Sequence, residues 1–394
     1  MPDLDQLPDV VRQRVLMRPV PINDDVPWTA PTAPVNASRL ALVTTAGLHL
    51  RSDLPFAKYD QGYRVIPNSA GEADLLQSQS SIGFDRSLRM RDINVVYPID
   101  RLQDLVADGR VGELSPNFYS LVGAQEDSEK TAATVGEALG PLLRADGVDL
   151  VLVTPTCPVC THTGGAVARV LEALGVPTAA ISMVREYTDK VRPPRSLYVP
   201  FPFGAPCGLP GDREQQLDVL TAALSLFDEP GPGPVVRGYA AEGVEGQRLS
   251  PVQASDVDLA PVEVDAATEV SMMRRYHELW VRREGRTAVG LTGIPAVRFR
   301  GVVRYLEAFV ADEPEKGLRP DGVPVGEFLR YCADDLKALY LEGRMVMRAG
   351  ESPDAAGEWL WGRTALAGLL VRVRDHMRAS EDAAVRDAAF GIAR

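Results

Sequence analysis

The sequence predicts an α/β protein, a parallel-sheet, Rossmann-like, doubly wound domain followed by an all-α helical bundle. Three observations carry that expectation. Near-continuous apolar runs such as Val148 to Val153 read as strands buried on both faces. They alternate with helical patterns across short links marked by Gly147 and Gly175, as parallel α/β units require. After the proline–glycine alternation of Glu229-Pro-Gly-Pro-Gly-Pro234, where neither helix nor strand can continue, the chain turns almost wholly helical.

Taken in order, residues 1–36 are rich in Pro and Asp and form an arm expected to wrap the body or a partner, with a short helix around Val10 to Leu16. Residues 37–229 make the α/β domain. Leu40 to Thr45 is its first buried strand and leads into Ala46-Gly47-Leu48-His49-Leu50. From Asp92 the pattern predicts a short strand, a break at Pro98, and a helix capped by Asp100 that runs to Gly109. A helix over Ala132 to Ala145, the strand at Val148 to Val153, a helix over 164–174 and a strand at Pro177 to Ile181 follow. A strand at Leu197 to Val199 and an amphipathic helix over Gln215 to Phe227 close the domain.

Residues 230–264 read as a Pro/Gly-rich linker, and residues 265–394 as the helical bundle. Its helices are expected over Thr268 to Arg283, Ala296 to Val310, Val325 to Met347 and Pro353 to Met377, with a short one after Glu381. Ser352 caps the fourth, where Leu366, Leu370, Val373 and Met377 make an apolar stripe. Phe328, Cys332, Leu336 and Leu339 make the matching stripe on the third. Ferritin-like metal sites need Glu-x-x-His pairs, and neither His277 nor His376 has an acid three residues upstream. The bundle therefore reads as an interaction or covering domain, a route to a protein partner, with no metal or other cofactor expected.

Composition narrows the function. At 394 residues, 45% hydrophobic and 24% charged, the chain can build two proper cores. A net charge of −12 argues against nucleic acid and against an anionic membrane surface. No apolar run reaches the ~18 residues of a membrane-spanning helix, and Met-Pro-Asp-Leu-Asp-Gln lacks the order of a signal peptide. Four cysteines do not make a disulfide framework, so a reducing cytoplasm is expected. A homo-oligomer is the default expectation for such domains.

The most informative stretch is Val-Thr-Pro-Thr-Cys157-Pro-Val-Cys160-Thr-His162, where a buried strand gives way to a helix. Unpaired amides and the helix dipole at such a junction stabilise an anion and lower a thiol pKa. The carboxyl edge of a doubly wound sheet is also where ligands bind. A reactive thiolate fits both facts. A lone CxxC is equally the mark of redox pairs, half zinc sites or two inert buried thiols. The other cysteines, Cys207 and Cys332, are isolated and offer no second zinc-binding pair. Thr161 and Thr163 are expected to cap the helix rather than react.

Several strings in this order resemble selenoprotein B of the glycine, sarcosine and betaine reductases and its D-proline reductase relative. They are Gly47-Leu48-His49-Leu50-Arg51, the segment Asp92 to Leu102, the segment Ser115 to Gly123, Cys157-Pro-Val-Cys160, and Val199 to Gly204. The resemblance covers about residues 38–228. It implies that Cys157 stands where the family carries the nucleophilic selenocysteine and that Cys160 is its resolving thiol. Such a nucleophile attacks a substrate carbon bonded to nitrogen and displaces the amine. His162 would assist as base or proton donor, its ordinary pKa lying near ~6.5. His49, Asp92, Asn94, Asp100 and Arg101 are candidates for substrate contact, the arginine as a bidentate carboxylate clamp. Against that, Asp100 can serve as a helix cap and Arg101 as a partner of Asp104.

The chain also departs from the family pattern. Sulfur replaces selenium, the segment Gln77-Ser78-Gln79-Ser80-Ser81 lies where relatives carry histidines, and the bundle is not part of the pattern. The expected activity is thus a thiol-dependent oxidoreductase acting on a small, amino-acid-like substrate. An external thiol or thioredoxin-like protein would reset the cysteine pair, which needs no further cofactor. The rivals are a non-catalytic assembly subunit of a biosynthetic complex and a metal-binding module built on Cys157, Cys160 and His162.

Overall fold

The computed structural model describes residues 9–79, 86–240, 264–313 and 317–393. The chain divides into two compact units, one of residues 1–71 and 83–246, the other of residues 72–82 and 247–394.

In the first unit the strands are β1 (Arg39–Thr44), β2 (Leu48–Leu50) and β3 (Tyr63–Pro67). A short β4 (Leu75–Gln77) falls in the other unit. Then come β5 (Glu113–Leu114), β6 (Asn117–Leu121), β7 (Leu150–Thr154), β8 (Thr178–Ser182), β9 (Arg195–Tyr198) and β10 (Val235–Gly238). The helices of the first unit are α1 (Asp9–Met17), α2 (Arg86–Arg91), α3 (Ile99–Ala107), α4 (Ser128–Ala145), α5 (Pro158–Ala173), α6 (Arg185–Val191) and α7 (Arg213–Leu224).

The main sheet runs β10-β9-β8-β7-β1-β6-β3, with β5 also on β1. All of its pairings are parallel except β3 against β6. Every residue of β7 and β8 is buried, as parallel strands covered on both faces must be. After β1 the chain is carried toward β6; after β7 it passes through α5 to β8, on the opposite side. The boundary between β1 and β7 is therefore the switch point of the sheet, the position at which doubly wound sheets bind their ligands.

The arm lies on the body of its own unit. The Thr29 N–H donates to Glu172 at 2.7 Å, and the Trp28 ring lies 3.7 Å from the Arg195 guanidinium. Arg18 donates to the Gln125 carbonyl at 2.6 Å.

Three expectations are corrected. The segment after Asp92 is a 3-10 turn, Ile93–Val95, not a strand, because the Asp92 carboxylate accepts the Asn94 N–H and closes the turn locally. Helix α3 starts after Pro98, with Asp100 inside its first turn rather than at the cap. Helix α5 begins at Pro158, not at 164, and its cap is Cys157, so Thr161 and Thr163 lie within it.

The second unit is helical: α8 (Ala266–Glu284), α9 (Phe299–Val310), α10 (Val325–Met347), α11 (Pro353–Arg363), α12 (Ala365–Ala379) and α13 (Ala383–Ala388). The helix expected over Pro353 to Met377 is two, since Thr364 is extended and its hydroxyl caps α12. Both expected stripes are buried. In the middle of α10, Asp335 is fully buried and accepts the N–H groups of Gly290, Leu291 and Thr292. That contact ties the loop after α8 to the bundle. Among the described residues no helix is long and apolar enough to cross a membrane. Most of the linker, residues 241–263, and Ser80 and Ser81 lie outside the described residues.

Candidate functional site

Strand β7 ends at Thr154, and Pro155 and Thr156 carry the chain to Cys157, which is extended at φ −139° and ψ 171°. Pro158 occupies the first helical turn, where a missing N–H costs nothing. The side chain of Cys157 then does what a serine or aspartate does at other helix starts. Its Sγ accepts the Cys160 N–H at 3.2 Å. The Sγ atoms of Cys157 and Cys160 are in bonding contact, with their Cα atoms 4.8 Å apart. Thr156 Oγ1 donates to the Cys160 Sγ at 3.6 Å. Neither cysteine is exposed. The first sulfur of the pair thus sits at the N-terminal cap of α5 and accepts a backbone N–H there.

The walls around the pair come from the ends of the central strands. The Thr45 N–H donates to the Thr154 carbonyl at 3.1 Å, joining the chain after β1 to the end of β7. The Gly123 N–H donates to the Thr45 carbonyl at 3.2 Å. A β-carbon at position 123 would lie 2.6 Å from the Thr45 Cβ and 2.8 Å from the Cys160 Cβ, so only glycine fits this approach. Thr163 Oγ1 donates to the Gly123 carbonyl at 2.8 Å. From another element, the Val96 carbonyl accepts both the Thr44 and the Thr154 hydroxyls, at 3.0 and 3.2 Å. Gly123 stands at the end of the string Ser115 to Gly123, whereas Thr44, Thr45 and Thr154 carry no sequence signal of their own.

His162 is buried on α5, and its contacts lead away from the sulfurs. Its Nε2 lies 2.8 Å from Glu129 Oε1 on α4, and its ring meets Tyr187 of α6 edge-on. It joins three helices. Among the described residues no group of three or more His, Cys, Asp and Glu side chains is arranged to hold a metal.

Asp92, Asn94 and Asp100 do come together. The Asn94 amide donates to Asp92 at 2.9 Å and to Asp100 at 2.8 Å, while the Asp100 N–H donates back to Asn94 at 3.1 Å. The other oxygen of Asp92 accepts from the Gly211 N–H and the Gln216 amide, at 2.9 and 2.7 Å. Burial works against the Asp92 charge, but the bonds from Gln216, Gly211 and Asn94 prevail and hold it below the usual carboxylate range. Arg101 lies 3.1 Å from Asp104. This cluster binds the 3-10 turn to α3 and to the start of α7.

His49, in β2, is fully buried. Its Nδ1 lies 2.8 Å from the Leu50 carbonyl, which can only accept, so the neutral ring carries its proton there. Its Nε2 is buried without a hydrogen-bond partner. Burial pushes its pKa below the ordinary value of 6.5.

Comparison with known proteins bears on this arrangement. The family model for glycine/sarcosine/betaine reductase selenoprotein B matches residues 16–156 and ends one residue before Cys157. D-proline reductase subunit gamma of Acetoanaerobium sticklandii is 32% identical over 219 residues, 55% of this chain and 90% of that one. Glycine reductase complex component B subunit gamma of Carboxydothermus hydrogenoformans is 29% identical over 206 residues, 50% of this chain and 47% of that one. Sarcosine reductase complex component B subunit beta of Peptoclostridium acidaminophilum is 27% identical over 217 residues, 53% of this chain and 50% of that one. The chain thus spans about half the length of these two complex components. No solved structure matches it.

Proposed function

The chain belongs to the glycine/sarcosine/betaine and D-proline reductase family of B-type subunits, and from that premise we propose that it is the thiol-bearing component of a reductase acting on a small amino-acid-like substrate. One observation carries the reading: the Cys157 sulfur caps α5 at the switch point of the sheet, within bonding contact of Cys160.

The chemistry balances with these two sulfurs and one external reductant. The Cys157 thiolate forms a bond to a substrate carbon as that carbon's bond to nitrogen breaks, and the amine leaves with a proton. The Cys160 thiolate then attacks the Cys157 sulfur. A disulfide forms, the carbon–sulfur bond breaks, and the carbon takes up a proton. The substrate gains two electrons and the dithiol loses two. A thiol or thioredoxin-like protein returns them, which requires a reducing compartment such as the cytoplasm. Asp92, Asn94 and Asp100 act indirectly in this reading: they hold the turn whose Val96 carbonyl fastens the ends of β1 and β7, while Arg101 pairs with Asp104. His162 acts by fixing the start of α5 to Glu129.

The test is the pH dependence of alkylation of the reduced protein, with each modified cysteine read by mass spectrometry. We expect Cys157 to react with a midpoint below about pH 7 and Cys160 much more slowly. Cys207 and Cys332 should stay unmodified, because burial pushes both thiols well up. Equal, slow labelling of Cys157 and Cys160 near about pH 8.5 would overturn the reading. The full burial of both sulfurs would then mark an assembly subunit without chemistry of its own.

A further inference from the structure

The outward side of α8 carries Met272, Tyr276 and Leu279, spaced i, i+4 and i+7, with 49%, 37% and 44% of their surfaces exposed. That spacing sets them in one row along the helix. Val270, Met273 and Trp280 of the same helix are already buried. A bundle helix normally turns polar residues outward, so a second apolar row calls for an explanation.

The balance of charge beside the row is positive. The exposed charged residues along α8 are Arg275, Arg282 and Arg283, the last of them paired with Glu284. The acids of the helix are engaged: Glu269 accepts the N–H groups of Ala365 and Leu366, Glu278 pairs with Arg274 and Glu284 with Arg283. A chain of net charge −12 therefore presents here an apolar row bordered by arginines.

We propose that this face of α8 docks an acidic amphipathic helix of a partner protein, whose apolar side chains meet Met272, Tyr276 and Leu279 and whose carboxylates meet the arginines. A second copy of this chain fits less well, because it would set one arginine-bordered face against another.

The test titrates full-length protein into a fluorescent helical peptide with leucines at i, i+4 and i+7 and glutamates elsewhere, followed by anisotropy. Saturable binding is expected, weaker at high salt. It should fall at least about tenfold for Leu279→Asp and for the double variant Arg275→Glu, Arg282→Glu. A peptide with lysine for each glutamate should restore binding to the double variant. The substituted side chains are exposed, so circular dichroism should show the folded state in each variant. Absence of saturable binding, or binding indifferent to these substitutions, would overturn the proposal. Sedimentation showing a dimer that Leu279→Asp dissociates would assign the face to a second copy instead.

Discussion

The backbone N–H of Cys160 donates to the Sγ of Cys157 at 3.2 Å, so the sulfur that heads the CxxC pair is also the cap of α5. Structure and proposed chemistry can therefore be separated by substitution. Under reducing conditions Cys157→Ser should keep the cap, whereas Cys157→Ala should lose about 1 kcal/mol relative to it. Both should lose substrate turnover. Urea unfolding of the two variants side by side measures the difference. Equal stabilities would show that the cap bond contributes nothing.

His49 gives a prediction for pH. Burial holds its folded pKa below the ordinary 6.5, so the unfolded chain takes up its proton first as pH falls. The unfolded state is then favoured, and stability drops from pH 6.5 downward until the folded pKa is passed. His49→Gln removes that contribution. The fall in melting temperature between about pH 7.5 and 5 should be shallower in the variant than in the parent protein. A variant with the same slope would mean that His49 titrates alike in both states.

The sequence showed what local pattern can show. β1, β7 and β8 fall on apolar runs because parallel strands covered on both faces must be apolar throughout. β6 and β3 are not legible as strands: Asn117 and Ser120 interrupt the first, and Tyr63 and Arg64 open the second, an edge strand fixed by its antiparallel register with β6. α5 starts at Pro158, ahead of the expected 164, because Pro158 to Thr163 carries no apolar helical stripe of its own, and the helix includes Gly164 and Gly165. In the folded chain they are packing positions. A β-carbon on Gly164 would come within 3.3 Å of Val153, and one on Gly165 within 3.1 Å of Val191. The strand-to-helix setting of the cysteine pair was legible. Its burial, the slot filled by Gly123 and the bond from His162 to Glu129 were not, because each joins residues far apart in the sequence.

Arg195 and Glu172 form an ion pair at 2.7 Å with neither side chain exposed. Glu172 also accepts the N–H groups of Thr29 and Thr178, while Arg195 donates to the Thr29 carbonyl at 2.9 Å and stacks on Trp28. The pair thus anchors the arm to α5 and β9, with Thr178 of β8 joined through Glu172. Arg195→Met leaves Glu172 buried without its cation, a change that costs about 3–5 kcal/mol. Burial already pushes Glu172 above the usual carboxylate range, and without the arginine it moves further in that direction. The folded variant then holds a proton that the unfolded chain has released, so its stability declines as pH rises through the new folded value. Urea unfolding should show a smaller loss at about pH 5 than at about pH 8, and Glu172→Gln added to Arg195→Met should level the two. The same loss at both values would mean that Glu172 stays charged without Arg195, held by the N–H groups of Thr29 and Thr178 alone.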